Sequence, residues 1–329
     1  MRAKLLGASV AGALLTAATA HAEAPRVVAS IAPIHSLVAQ VMEGVAEPEL
    51  LIPAEVSEHD YALKPSDVRR IAGADLVVWV GESLEMYLVK PLETEGVESL
   101  ELIEAEGIDA HAYGEEARAR EEHHAGADRE EEHTDEHADA DEHAHADENG
   151  HDHAHIGLDP HVWLDPHRAE AIVRALAARL SEIDPPNAGT YQVNAERAVA
   201  SLEALDGEIG ARLKPLGDKP FVTFHDGYSY FVERYGLKQV GEITVRPEQR
   251  PGAASLGALR DAIASEGVAC VFAEPQFDPN LIRSLAGDAE VEVGILDALG
   301  AGLEPGPALY GELLRKNAEA VASCLTSTS

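Results

Sequence analysis

Strand-length apolar runs and amphipathic stretches alternate along this chain. Residues 27–29, 50–52, 76–80 and 100–103 are short and strongly apolar, and the stretches beginning near Pro33, Pro65 and Ser83 read as helices. Strands separated by helices predict a mainly parallel sheet with helices on its faces. The same order returns later, with strand-like runs at 221–224, 239–243, 269–273 and 291–296. The expected fold class is therefore α/β, with two lobes that each hold a mainly parallel sheet flanked by helices. A length of 329 residues at 45% hydrophobic content is ample for two such units.

Between the two patterns the apolar period changes. Tyr191, Ala195, Ala198, Leu202, Leu205, Ile209 and Leu213 recur at spacings of four and three, on one face of a single long helix. Pro185 and Pro186 precede it and Pro215 follows, as start and stop signals. A helix over about 187–213 would join the lobes as a stiff strut. The implied division is an N-terminal lobe over 23–165, a helical connection over 166–215 and a C-terminal lobe over 216–329.

Two segments stand apart from the globular pattern. Met1, Arg2 and Lys4, an apolar run over 5–18, and Ala20-His21-Ala22 form the three parts of an export signal, so 1–22 are expected to be removed. The run is shorter than the roughly 20 residues a spanning helix needs, so membrane insertion is not expected. No cysteine follows the cleavage site to carry a lipid, and the periplasm is the expected location. From 112 to 155 there is no Val, Ile, Leu, Phe, Met or Trp, while Glu, Asp and His recur. Such a stretch cannot bury enough apolar surface to offset its ordering entropy, and a disordered loop is expected.

A formal charge of −34 rules against nucleic acid as a partner and suits a collector of cations. The two cysteines, Cys270 and Cys324, lie late in an exported chain, where thiols oxidise. A disulfide between them is the expected state, with a two-cysteine metal site as the rival.

The candidate chemistry is histidine chemistry. His59 lies in Glu58-His59-Asp60-Tyr61, His161 in Asp159-Pro160-His161-Val162-Trp163-Leu164-Asp165-Pro166, and His225 directly after the run 221–224. Asp297 follows the run ending at Leu296. In open parallel sheets ligands collect beyond the carboxyl ends of strands, so a cleft between the lobes would gather His59, His225 and Asp297, with His161 entering from the crossover. Three imidazoles and one carboxylate make a tetrahedral site suited to Zn²⁺, whereas Mg²⁺ or Ca²⁺ would call for mostly oxygen ligands. Any one of these histidines alone would more often be a surface or hydrogen-bonding residue. His35 and His167 are read that way, Asp165 as a helix N-cap, and Glu274 as a carboxylate that could orient an imidazole.

Taken together these motifs resemble the ZnuA-type zinc solute-binding proteins of bacterial ABC transporters, within a wider group of Zn²⁺ and Mn²⁺ carriers. The likeness covers nearly all of the mature chain. It rests on Glu58-His59-Asp60-Tyr61 with Lys64-Pro65-Ser66-Asp67, on Asp159 to Pro166 and on Phe224-His225-Asp226-Gly227-Tyr228 with Phe231. Phe272-Ala273-Glu274-Pro275-Gln276-Phe277 and Leu296-Asp297-Ala298-Leu299-Gly300 complete it. The resemblance implies that His59, His161 and His225 hold Zn²⁺ in the interlobe cleft, and that a long rigid helix bridges the lobes. It implies Asp297 as fourth ligand, with Glu58 or water as the alternative. Ala298 stands where the family commonly has proline, a change expected to loosen that loop. Manganese members typically carry Glu at the His225 position, so three histidines point to zinc rather than to manganese or a broad divalent range. The cysteine pair also resembles a disulfide of zinc members.

The likeness further implies a monomeric carrier that hands Zn²⁺ to the permease of an inner-membrane ABC transporter. The acidic loop, with His143, His145, His151, His153 and His155, would then be a weak secondary metal collector. A zinc hydrolase would need an open coordination position and a general base, and no His-Glu-x-x-His motif is present. No enzymatic activity is expected.

Overall fold

A computed structural model describes residues 24–112, 157–244, 253–277, 282 and 291–327. The segment 1–22 and the loop histidines His143, His145, His151, His153 and His155 lie outside the described residues.

The first lobe runs β1 (Val27–Ala29), α1 (Ala32–Val41), β2 (Glu49–Leu50), α2 (Pro65–Ala72), β3 (Leu76–Trp79), α3 (Glu82–Glu95) and β4 (Ser99–Glu101). Then come α4 (Pro166–Ile183) and the long α5 (Ala188–Leu213). The second lobe follows as β5 (Pro220–His225), α6 (Ser229–Tyr235), β6 (Lys238–Thr244), α7 (Ala253–Glu266), β7 (Cys270–Ala273), β8 (Glu292–Ile295) and α8 (Leu309–Ser327). Each lobe is built on a parallel four-stranded sheet, ordered β2-β1-β3-β4 in the first and β6-β5-β7-β8 in the second. The order is the same in both. The strand order reverses between β1 and β3 in one sheet and between β5 and β7 in the other, which opens a crevice at the carboxyl ends of those strands.

Ladder and apolar run do not coincide at every strand. β2 closes at Leu50, yet Leu51 N donates to Ala29 O and Ile52 N to Ser30 O, both at 2.9 Å. The run 50–52 reflects burial beyond the paired residues, since Leu51 and Ile52 are both buried. The helix starts are set by local chemistry. Pro65 opens α2, where its missing N–H costs nothing, and Asp67 Oδ2 accepts from Lys64 N at 2.8 Å. Asp165 caps α4 by accepting from His167 N at 2.9 Å.

The buried stripe of α5 is Tyr191, Asn194, Ala195, Ala198, Leu202, Leu205, Ile209 and Leu213. It packs on α4 and also on α1 of the first lobe and α8 of the second. Asn194 is polar within an apolar stripe for a reason. Its Nδ2 donates to Val41 O (3.0 Å) and Glu43 O (2.8 Å), two carbonyls left over where α1 ends. One apolar core runs without a break from Val27 through the α5 stripe to Leu325, and a smaller cluster around Val222, Ile243 and Val271 lines the other face of the second sheet. Cys270 of β7 and Cys324 of α8 form a disulfide that ties that sheet to the final helix.

Candidate metal centre

Three elements deliver the imidazoles. His59 comes from the loop between β2 and α2, His161 from the turn before a short 3-10 segment at Val162–Leu164, and His225 is the last residue of β5. His225 thus stands at the point where the second sheet's strand order reverses. His161 and His225 are buried, and the His59 side chain is 7% exposed.

The nitrogens converge. His161 Nε2 lies 3.3 Å from His59 Nε2 and 3.2 Å from His225 Nε2, and among the described residues these three side chains form a group able to hold a metal ion. A tetrahedral ion with Zn–N bonds of about 2.05 Å sets its nitrogen ligands about 3.3 Å apart. The observed spacing fits.

The other ring nitrogens explain which lone pairs face inward. Asp159 Oδ1 accepts from His161 Nδ1 at 2.8 Å and from His161 N at 3.0 Å, while Glu274 Oε1 accepts from His225 Nδ1 at 2.6 Å. A proton held on Nδ1 turns the Nε2 lone pair of each ring, when neutral, toward the centre of the cluster. Lone pairs at 3.2 Å repel one another unless a cation or proton lies between them. The protein holds this arrangement by burial and by carboxylates fixed from behind. Burial by itself would push the His225 ring down, but the charge and hydrogen bond of Glu274 outweigh it and raise the ring to about 9. At His161 burial prevails over Asp159, and the ring sits below its ordinary value. Asp159 is in turn held by Ser229, whose hydroxyl donates to Oδ2.

Two acidic residues stand differently toward the cluster. Glu58 is buried with Oε1 3.8 Å from His59 Nε2, and burial, opposed by the His225 charge, raises its carboxyl to about 7. Asp297 does not join the three imidazoles. Its Oδ1 accepts from Leu299 N (2.9 Å) and Gln276 Nε2 (3.0 Å), and its Oδ2 accepts from Ala301 N (2.6 Å). The loop around it is not loose either. Ala298 is buried and its carbonyl accepts from Trp163 Nε1 at 2.8 Å, which anchors the segment that lacks proline.

Gly227 escapes notice in the sequence. A Cβ placed there would lie 2.2 Å from His225 Nε2, so any side chain would displace the imidazole nitrogen that faces its partners. His111, at the border of the acidic run, is also unremarkable in sequence, yet it stacks on Tyr230 at 4.1 Å between ring centroids. His35 and His167 lie apart from the cluster. His35 is buried with Nε2 donating to Pro48 O at 3.0 Å, and the His167 side chain is 65% exposed.

Residues 27–324 match the family model described as zinc-uptake complex component A, periplasmic. The chain belongs to the ZnuA family. Its sequence is 41% identical to the high-affinity zinc uptake system protein ZnuA of Brucella suis over 313 residues, 91% of each chain. The corresponding ZnuA of Paracoccus denitrificans is 41% identical over 320 residues, covering 96% of this chain and 97% of that one. Among solved structures, a crystal structure of ZnuA superposes with a TM-score of 0.72 at 24% identity, covering 92% of this chain and 99% of that one. Zn(II)-bound AdcA from Streptococcus pneumoniae gives 0.67 at 25% identity, covering 92% and 58%. The ZnuA family is one of solute-binding transport proteins, which agrees with two parallel-sheet lobes and a long helix between them. No helix among the described residues is long and apolar enough to cross a membrane.

Proposed function

We propose that this protein captures Zn²⁺ in the periplasm through His59, His161 and His225 and delivers it to the permease of an inner-membrane ABC transporter. The observation that carries the reading is the convergence of three Nε2 atoms, two of them 3.2–3.3 Å from the third, with Asp159 and Glu274 set behind two of the rings. Nitrogen-rich coordination favours Zn²⁺ over Mn²⁺, which prefers oxygen ligands. A carboxylate closes the shell. Asp297 reaches the ion by giving up its loop hydrogen bonds, and Glu58 is the alternative from beside His59. A closed shell suits holding and release rather than hydrolysis, and the protein acts as a carrier, not as an enzyme.

The same reading takes residues 1–22 as the export signal, the mature chain as a monomer, and 23–165, 166–215 and 216–329 as lobe, connection and lobe. The acidic stretch 112–155 is a weak collector, so its deletion should leave tight binding intact. Equilibrium dialysis with metal analysis tests the core of this proposal. The wild type should retain one Zn²⁺ per chain against a chelator, and His59→Ala, His161→Ala and His225→Ala should each lose it. Retention by all three variants, or preferential uptake of Mn²⁺ from an equimolar mixture, would overturn the proposal.

A further inference from the structure

The geometry points to Gln276 as the residue that holds the Asp297 carboxylate away from the three imidazoles and ties it to the opposite lobe. This rests on the zinc reading above. The Gln276 amide has two hydrogens and uses both from one nitrogen. One goes to Ala54 O at 2.9 Å, in the first-lobe loop that leads to Glu58 and His59, and the other to Asp297 Oδ1 at 3.0 Å in the second lobe. These contacts join positions 222 and 21 residues apart in sequence. A second contact crosses the cleft nearby, where Gly302 N donates to Glu55 Oε1 at 3.4 Å.

Asp297 cannot approach an ion by moving its backbone. Asn317, buried on α8, accepts from Asp297 N at 3.0 Å and donates to Asp297 O at 2.7 Å, so the peptide is pinned on both sides. What remains is rotation of the side chain about its own Cα–Cβ bond. That rotation breaks the bond from Gln276 as well as those from Leu299 N and Ala301 N. The carboxylate therefore has two stations, and a charge-assisted hydrogen bond from Gln276 favours the one away from the metal. When Asp297 turns inward, the cross-lobe strap loses one of its two acceptors. Gln276 is a positioning residue: it sets how readily the shell closes and makes that closure felt between the lobes.

Chelator competition at neutral pH on the full mature chain tests this. Gln276→Leu should bind Zn²⁺ about tenfold more tightly than wild type, equivalent to about 1.4 kcal/mol. Gln276→Met, of similar length but without a donor, should do the same and keeps the test decisive if the leucine variant folds poorly. The gain should vanish in Gln276→Leu/Asp297→Asn, which should match Asp297→Asn alone. A merely structural glutamine would instead give weaker binding together with a lower unfolding midpoint of the zinc-free protein, and that result would overturn the assignment. Equal affinity in wild type and both single variants would overturn it too. If the wild type holds no Zn²⁺, or His161→Ala holds it unchanged, the zinc reading itself falls and carries this inference with it.

Discussion

Replacing Glu274 by glutamine separates charge from geometry at the metal centre. The amide oxygen can still accept from His225 Nδ1, now 2.6 Å from the carboxylate, but the negative charge is gone. In the wild type the His225 ring is raised to about 9, so at pH 7 it is mostly protonated, and Zn²⁺ binding there would have to displace that proton at a cost of about 3 kcal/mol. Without the charge, burial drives the ring below its ordinary value and the proton no longer competes at pH 7. Loss of a carboxylate that orients and polarises a ligand works the other way, weakening affinity by about 10- to 100-fold. At neutral pH the net change therefore runs from none to about a tenfold gain. At pH 9 the wild-type ring is about half deprotonated, so relief from proton competition shrinks from about 100-fold to about twofold. The ratio of variant to wild-type affinity should therefore fall at least tenfold between pH 7 and pH 9 as the wild-type ring gives up its proton. Chelator competition for Zn²⁺ at the two pH values measures it. A ratio that stays constant would refute the claim that Glu274 acts on His225 through its charge.

Gly227→Ala should lower Zn²⁺ affinity on the order of 100-fold in chelator competition, because its methyl would displace His225 Nε2. Asp67 tests a separate electrostatic contribution. Its burial alone would raise the carboxyl, but hydrogen bonds from Arg70, Lys64 N and Tyr61 hold it at about 2. A depressed folded value contributes stability that is present above the unfolded value near 3.9 and lost as pH falls toward 2, so Asp67→Asn should cost about 2 kcal/mol at pH 7 and roughly half of that at pH 3 in urea titrations. Replacing both Cys270 and Cys324 by serine opens a loop spanning 54 residues and should lower unfolding free energy by about 4 kcal/mol, read by chemical denaturation.

Much of the architecture was legible because burial leaves a periodic trace. Four apolar runs before the acidic stretch and four after it correspond to the two four-stranded sheets, and the four-three spacing of Tyr191 to Leu213 lies on the buried face of α5. Edges were less legible, since Leu51 and Ile52 are buried beyond the end of β2 and no polarity change marks where pairing stops. At the metal centre, Glu274 could be read as orienting an imidazole because it follows a strand. Asp159, two residues before His161, performs the same task from within a motif where it drew no separate attention. Gly227 and Gln276 depend on contacts across the fold. A glycine needed for empty space, and an amide that meets Ala54 across the cleft, leave no pattern in the residues around them.

Trp163 offers an optical consequence of the way the centre is assembled. It is fully buried, its ring centroid is 5.2 Å from that of His161, its indole N–H ends on Ala298 beside Asp297, and its carbonyl accepts from Tyr310 at 2.7 Å. With only one other tryptophan in the chain, Trp79, its emission can be isolated by a single Trp79→Phe substitution. An indole set between an imidazole of the cluster and the loop of Asp297 should report cation arrival as a change of intrinsic fluorescence, with no dye or label attached.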